Sequence, residues 1–225
     1  MKRGVKMVNY DVAIKKPFSD VKNLIIGILL CLIPVVNFFA LGYIVEQSKK
    51  FKEKKLSEFK GWGDLFVKGL LVVLIGIIYF LPAFFIILLA AASVLAVLFK
   101  SAFTMGFFTG PKMMMYNASL IGPEIIRVVP WIILAGMLAI VAFYVLPMAF
   151  VGFVSTGRFA DAFEFGKIFR KCFSGKYLGT WLIAVLVHIF LMAAIGWIFW
   201  IGPAFVMFTT GVFAYTLFGQ VNKEV

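Results

Sequence analysis

Four stretches of this 225-residue chain contain no Asp, Glu, Lys or Arg, and they limit what the chain can fold into. They are Leu24–Val45, Gly69–Phe99, Val128–Gly157 and Tyr177–Asn222, of 22, 31, 30 and 46 residues. About 20 apolar residues in helical form span the hydrocarbon core of a bilayer, so each stretch is long enough to reach across one. All 22 basic and 10 acidic residues fall in the gaps between them or at the ends. This pattern predicts an all-α, polytopic integral membrane helical bundle. The 63% apolar composition agrees, and no Gly/Ser- or Pro-rich linker divides residues 1–225 into more than one membrane domain.

The gaps differ in basic content, and that sets the expected orientation. Residues 1–23 carry six Lys or Arg, 46–68 seven, 100–127 three and 158–176 five. Cytoplasmic loops hold the excess of basic residues, which places 1–23, 46–68 and 158–176 inside and 100–127 outside. The expected location is the cell (plasma) membrane, with both termini cytoplasmic. A cleaved signal peptide is not expected, because the first apolar run begins only at Leu24 and no small-residue cleavage pattern follows it. Met7, after a basic hexapeptide, is an alternative start to Met1.

That orientation conflicts with a single span at 24–45, because both flanks are strongly basic. Pro34 breaks a helix and Asn37 favours a turn, so the stretch reads as two half-helices in a re-entrant hairpin. A simple tilted span is the alternative. The other spans are placed at about 69–99, 128–154, 177–199 and 202–222, with Gly202-Pro203 as the last turn. The expectation is four full spans plus the hairpin, or five or six spans if the hairpin crosses or a second one turns at Leu81-Pro82.

Two basic gaps read as interfacial amphipathic helices, at 56–70 and 158–173. In the first, Phe59, Trp62, Phe66 and Leu70 share a face, Lys60, Asp64 and Lys68 form an i, i+4 ladder, and Ser57 is a candidate cap. In the second, Phe159, Ala162, Phe163, Phe169 and Phe173 align opposite Asp161, Glu164, Lys167 and Lys171. The alternative for both faces is packing on the protein's own helices. Candidate anionic-lipid contacts are Lys49, Lys50, Lys52, Lys54, Lys55, Lys60, Arg158, Lys167, Arg170 and Lys171. Trp62, Phe66, Phe159 and Phe163 are candidate interfacial anchors. The expected partner is membrane lipid, anionic in character, with a homo-oligomer or a second membrane protein as further partners. Nucleic acid is not expected despite the net charge of +12, since no soluble domain offers a face for it. A charged segment followed by a turn-interrupted apolar block also recurs weakly at 10–45, 56–99 and 158–220.

With these elements placed, the chain resembles a family of multi-span membrane proteins filed as domain of unknown function 4013. The resemblance rests on Lys16-Pro17-Phe18, Ile33-Pro34, Leu41-Gly42-Tyr43 and Gly61-Trp62-Gly63-Asp64-Leu65-Phe66 before Gly69. It continues through Tyr79-Phe80-Leu81-Pro82, Asp161-Ala162-Phe163-Glu164-Phe165-Gly166 and Phe218-Gly219-Gln220. It implies an integral membrane protein and brings no catalytic residue, cofactor or substrate with it.

Candidates for chemistry are sparse. His188, the one histidine, lies inside a span with no acid or base at similar depth, so a neutral imidazole bonded to a carbonyl or hydroxyl is expected rather than a relay. Asp161 and Glu164 are read as a solvated face beside Arg158 and Lys167, and Glu124 follows Gly122-Pro123 in the outer gap. Cys31 and Cys172 fall at different depths, and Cys172 reads as an inert thiol with a lowered-pKa or acylated one as the alternative. Phe107, Phe108, Met113, Met114 and Met115 suggest an outer interfacial patch. Gly27, Gly42, Gly76, Gly136, Gly196 and Gly211 suggest close helix contacts. No catalytic motif, cofactor site or metal site is expected, and three functions are weighed. They are a membrane-organising protein that binds anionic lipid, a small permease or transport-assembly subunit, and a membrane-embedded enzyme.

Overall fold

Asn9 and Asp20 start the first two helices by side-chain capping. The Asn9 carboxamide oxygen accepts from the Val12 amide at 3.1 Å and opens α1, Tyr10–Lys15. A 3₁₀ turn at Lys16–Phe18 follows, and the Asp20 carboxylate then accepts from the Asn23 amide at 3.0 Å to open α2, Val21–Leu32. The computed structural model describes the backbone of residues 8–105 and 111–224, and the side chains in that range outside 101–121. Among the described residues there are helices and turns and no strand.

Pro34 forces the first break. The residue before a proline is driven out of the helical region, and Ile33 is extended at φ −109°, ψ 119°. The chain turns through 33–36 and resumes as α3, Asn37–Glu46. Two hydrogen bonds close the base of this pair. Lys16 Nζ donates to the Lys50 carbonyl at 2.6 Å, and the Leu56 amide donates to Ser19 Oγ at 2.9 Å. The chain therefore leaves where it entered, which is the hairpin expected at 24–45.

Four further helices follow: α4, Trp62–Met105; α5, Pro111–Thr156; α6, Phe165–Cys172; and α7, Gly175–Ile195. The last, α8, covers Ile201–Glu224. Trp62–Lys100, Gly122–Thr156, α7 and α8 are each long and apolar enough to cross a membrane. The protein is thus a four-span helical membrane protein with a short hairpin at its N-terminal side.

Several boundaries differ from the sequence expectation. Pro82 lies inside an unbroken α4, so no hairpin turns at Leu81-Pro82 and the middle block of the weak repeat lacks its turn. A proline removes one helical hydrogen bond, and the Ala83-Phe84-Phe85-Ile86 that follows offers no turn residue to exploit it. Helix α5 occupies residues assigned to the 100–127 gap, because its mostly apolar sequence carries few charges to stop it. Phe107 and Phe108, and the side chains of Met113, Met114 and Met115, lie outside the described residues. The last turn is at 196–200, not at Gly202-Pro203. Trp200 sits there at φ 52°, while Pro203 falls in the first turn of α8, where a helix does not need its N–H.

The chain divides into two units, residues up to Gly76 with Tyr144 onward, and Ile77–Phe143. In the first, α8 is the hub. Buried residues make up 61% of its most apolar window against 11% for α7, and α7, α2, α3 and α1 all pack on it. Glycines set the approach distances. A Cβ on Gly42 would sit 2.0 Å from the Leu65 carbonyl oxygen, and one on Gly69 would sit 1.8 Å from that of Phe38. These two therefore let α3 and α4 touch backbone to backbone. Gly27 meets the Phe208 ring, and Gly219 meets the Ser48 carbonyl, in the same way. Gly136 meets nothing within 4 Å, so it is not a contact glycine. Around this core, Tyr43 stacks on Phe59 at 3.9 Å between centroids, and its hydroxyl donates to the Ser57 carbonyl at 2.7 Å.

Those contacts explain why 56–70 is not one amphipathic helix. Leu56 and Phe59 are buried in the core, so 56–61 runs as a strap, and the helix starts only at Trp62, after Gly61 at φ 67°. Ser57 caps no helix, and its hydroxyl is buried with no hydrogen-bond partner among the described residues. In the second unit, Ala83 and Ala90 on α4, and Val128, Ala135 and Ala142 on α5, are buried at seven-residue spacing, as close helix packing requires.

Candidate functional site

The basic segments of the first unit meet at one end of its bundle. The Asn9 amide donates to Gln220 Oε1 at 2.7 Å, and Gln220 Nε2 returns a bond to the Asn9 carbonyl at 3.3 Å. Lys171 Nζ donates to Asn222 Oδ1 at 2.6 Å, and Asn222 Nδ2 donates to Ser155 Oγ at 3.3 Å. Lys176 pairs with Glu224 at 2.9 Å. With the Lys16–Lys50 and Ser19–Leu56 bonds, these ties gather 9–20, 47–56, 155–176 and 220–224 into one surface. The positive segments assigned to a common side do lie together.

Their charges are not equivalent. Lys49, Lys52, Lys54 and Lys55 are exposed and have no carboxylate partner among the described residues, and the same holds for Arg170. Lys50 pairs with Glu46 at 3.4 Å, Lys60 with Glu58 at 2.8 Å, Arg158 with Asp161 at 2.9 Å and Lys167 with Glu164 at 2.8 Å. The expected Lys60–Asp64–Lys68 ladder is half present, since Asp64 pairs with Lys68 while Lys60 turns to Glu58. Lys171 is half-buried, and burial with the neighbouring Arg170 and Lys167 lowers its pKa. Ten candidate contacts thus reduce to five freely presented cations, four of them on the 49–55 turn.

The segment at 158–173 is two pieces instead of one helix. A 3₁₀ turn covers Phe159–Phe163, Glu164 breaks it at φ −75°, ψ 67°, and α6 then begins. The break resets the helical phase, so Phe159 and Phe163 pack on each other at 5.3 Å while a different stripe faces out. That stripe is Phe165, Phe169 and Phe173, stacked at 6.2 and 6.1 Å, with Phe165 and Phe173 exposed and Phe169 half-buried between them. Ile168 and Cys172 occupy the buried face. Of the four expected anchors only Trp62 is exposed, while Phe66, Phe159 and Phe163 are half-buried. The i, i+4, i+8 spacing from Phe165 was visible in the sequence and hidden only by the assumption of one continuous helix.

The titratable groups are structural in character. Asp161 is buried, contrary to the solvated face expected. A hydrogen bond from Thr156 and the Arg158 guanidinium hold its carboxyl below the usual carboxylate range. Cys172 is buried, and desolvation pushes its thiol up to about 11, which leaves neither a lowered-pKa nucleophile nor an open acylation site. His188 Nδ1 lies 2.9 Å from Thr210 Oγ1. Because Thr210 already donates its hydroxyl to the Val206 carbonyl, the imidazole is the donor in that pair, which is the hydroxyl bond expected for this histidine. Lys16 was not singled out from sequence. It is fully buried, and desolvation lowers its pKa to about 8 against the opposing field of Glu53.

A family model described as "Protein of unknown function (DUF4013)" matches residues 25–200. The chain belongs to this family. No curated protein and no solved structure matches it. In this DUF4013 protein the matched residues include the hairpin turn, the Gly42–Gly69 contact and the whole 158–173 segment. Lys16-Pro17-Phe18 and Phe218-Gly219-Gln220 fall outside the match, yet they help to tie the basic end together.

Proposed function

We propose that this protein is a non-enzymatic, membrane-organising protein of the cell membrane that engages anionic lipid through the basic end of its bundle. The carrying observation is that unpaired Lys49, Lys52, Lys54 and Lys55 lie at the same end of the bundle as α6, whose Phe165 and Phe173 are exposed. Anionic head groups attract such lysines at about 1 kcal/mol each, and an aromatic stripe on a short helix seats in the interface. A homo-oligomer or a partner membrane protein would add area to this surface.

Full-length protein in nanodiscs of neutral lipid, with and without an added anionic fraction, tests the reading. Anionic lipid is expected to stabilise the fold by up to about 4 kcal/mol, about 1 per lysine, and added salt is expected to abolish the gain. Equal stability in the two lipids sinks the proposal. Orientation is tested apart from it. In intact cells an impermeant maleimide is expected to label Asn117→Cys and to miss Lys54→Cys. Labelling at position 54 would reverse the assignment.

A further inference from the structure

We propose that a cleft between α1, the 51–54 turn and the last turn of α8 binds the phosphomonoester group of an anionic ligand. This deepens the lipid reading above and rests on it. The cleft holds about 650 Å³ and is lined by Lys52, Lys54 and Lys223, with Phe51 and Val12 as apolar wall. None of the three lysines has a carboxylate partner among the described residues. The lining acid, Glu224, is already neutralised by Lys176 at 2.9 Å. Lys223 Nζ is held over the Phe51 ring, 5.9 Å from its centroid, so it contributes charge to the cleft without an oxygen bound to it.

The remaining polar groups are spent on the scaffold. The Gln220 amide uses both ends on Asn9, and the Asn9 side chain caps α1. The charged side chains lining the cleft are the three lysines and Glu224, whose carboxylate Lys176 already pairs. Lysine acts as a compact point charge, suited to phosphate oxygens, whereas planar bidentate recognition would call for arginine. Three lysines against one lining carboxylate that Lys176 already pairs match a phosphomonoester, at about −1.5 to −2 near neutrality, better than the single charge of a phosphodiester. The Asn9–Gln220 clamp holds two walls of the cleft at a fixed separation, so the charges are gathered before any ligand arrives.

The ligand is either a lipid head group or a soluble phosphomonoester, and the test separates them. Full-length protein in phosphatidylcholine nanodiscs carries a minor fraction of phosphatidic acid or of phosphatidylglycerol, and retained lipid is counted by native mass spectrometry. Wild type is expected to retain phosphatidic acid preferentially. The variant Lys52→Gln/Lys54→Gln/Lys223→Gln is expected to lose that preference, by about fivefold per lysine. The charge-matched variant Lys15→Gln/Lys22→Gln/Lys100→Gln, at exposed lysines outside the cleft and outside the 49–55 turn, is expected to keep it. An unchanged melting profile in pure phosphatidylcholine shows that each variant folds. Glycerol 3-phosphate is then added to the phosphatidylcholine discs. A melting rise that requires the three lysines assigns a soluble source, and no rise together with retained phosphatidic acid assigns the lipid. Equal retention of both anionic lipids, or equal loss in the two variants, overturns the phosphomonoester site while leaving the general lipid reading intact. No preference for either over phosphatidylcholine overturns both.

Discussion

Replacing Gly69 with alanine is expected to destabilise the protein by about 3 kcal/mol or more, and Gly42→Ala to do nearly the same. The cause is steric and local. The new methyl carbon would lie 1.8 Å from the Phe38 carbonyl oxygen in one case and 2.0 Å from that of Leu65 in the other. Neither obstacle is a side chain that can swing away, so α3 and α4 must part. Parting them pulls on Tyr43 and Phe59, and on the Lys68 ammonium that reaches Glu46 at 3.1 Å across the same seam. Gly179→Ala is the matched control, since a methyl there meets nothing within 4 Å and removes glycine's helix penalty of about 1 kcal/mol. Thermal melts in detergent followed by size exclusion read the difference. Gly69→Ala melting with Gly179→Ala would refute the backbone contact.

The second large effect is alkaline. Lys16 is buried beside the Lys50 carbonyl with its pKa lowered from 10.5 to about 8. Between those values the unfolded chain keeps the proton and the folded chain has released it. Stability from this group therefore rises with pH across that window. Below about pH 8 both states are protonated and the full cost of burying the charge, about 3 kcal/mol, is present. Cys172, raised to about 11, acts in the opposite sense as pH climbs from its ordinary 9. Comparison with Lys16→Met cancels that contribution, because both proteins carry the thiol. Wild-type stability relative to Lys16→Met is expected to grow by about 3 kcal/mol from pH 7 to pH 10.5, as read by denaturant midpoints. A difference that stays flat across that range would show that Lys16 is not desolvated.

The same residues show what the sequence disclosed and what it withheld. Spans and hairpin were legible because they depend on local properties, namely long charge-free runs and a proline that drives Ile33 extended. The grouping of basic segments was legible because lysine counts differ between gaps. Pro82 and Pro34 look alike as letters, and only the flanking residues and packing separate a proline that turns the chain from one the helix absorbs. The site was less legible. Five of the ten candidate cations are free, and the others are taken up by Glu46, Glu58, Asp161, Glu164 and Asn222; the first four are near neighbours in sequence, and only the Lys171–Asn222 bond depends on tertiary geometry. Lys16 reads as one more basic residue near the N-terminus, and nothing local announces that the 50–53 turn closes over it. Phe165 was missed because a break at Glu164 shifts helical phase.

The hub position of α8 has a consequence for biosynthesis. The helix against which α1, α2, α3 and α7 settle leaves the ribosome after all four of them. At roughly 5–20 residues per second, α2 and α3 leave the ribosome on the order of ten seconds before their packing surface exists. In that interval the Gly27 and Ile44 faces have no Phe208 or Gly211 to meet. The N-terminal hairpin therefore stays without its packing partner until α8 emerges, and a chain cut short before Ile201 is left with that surface unpaired.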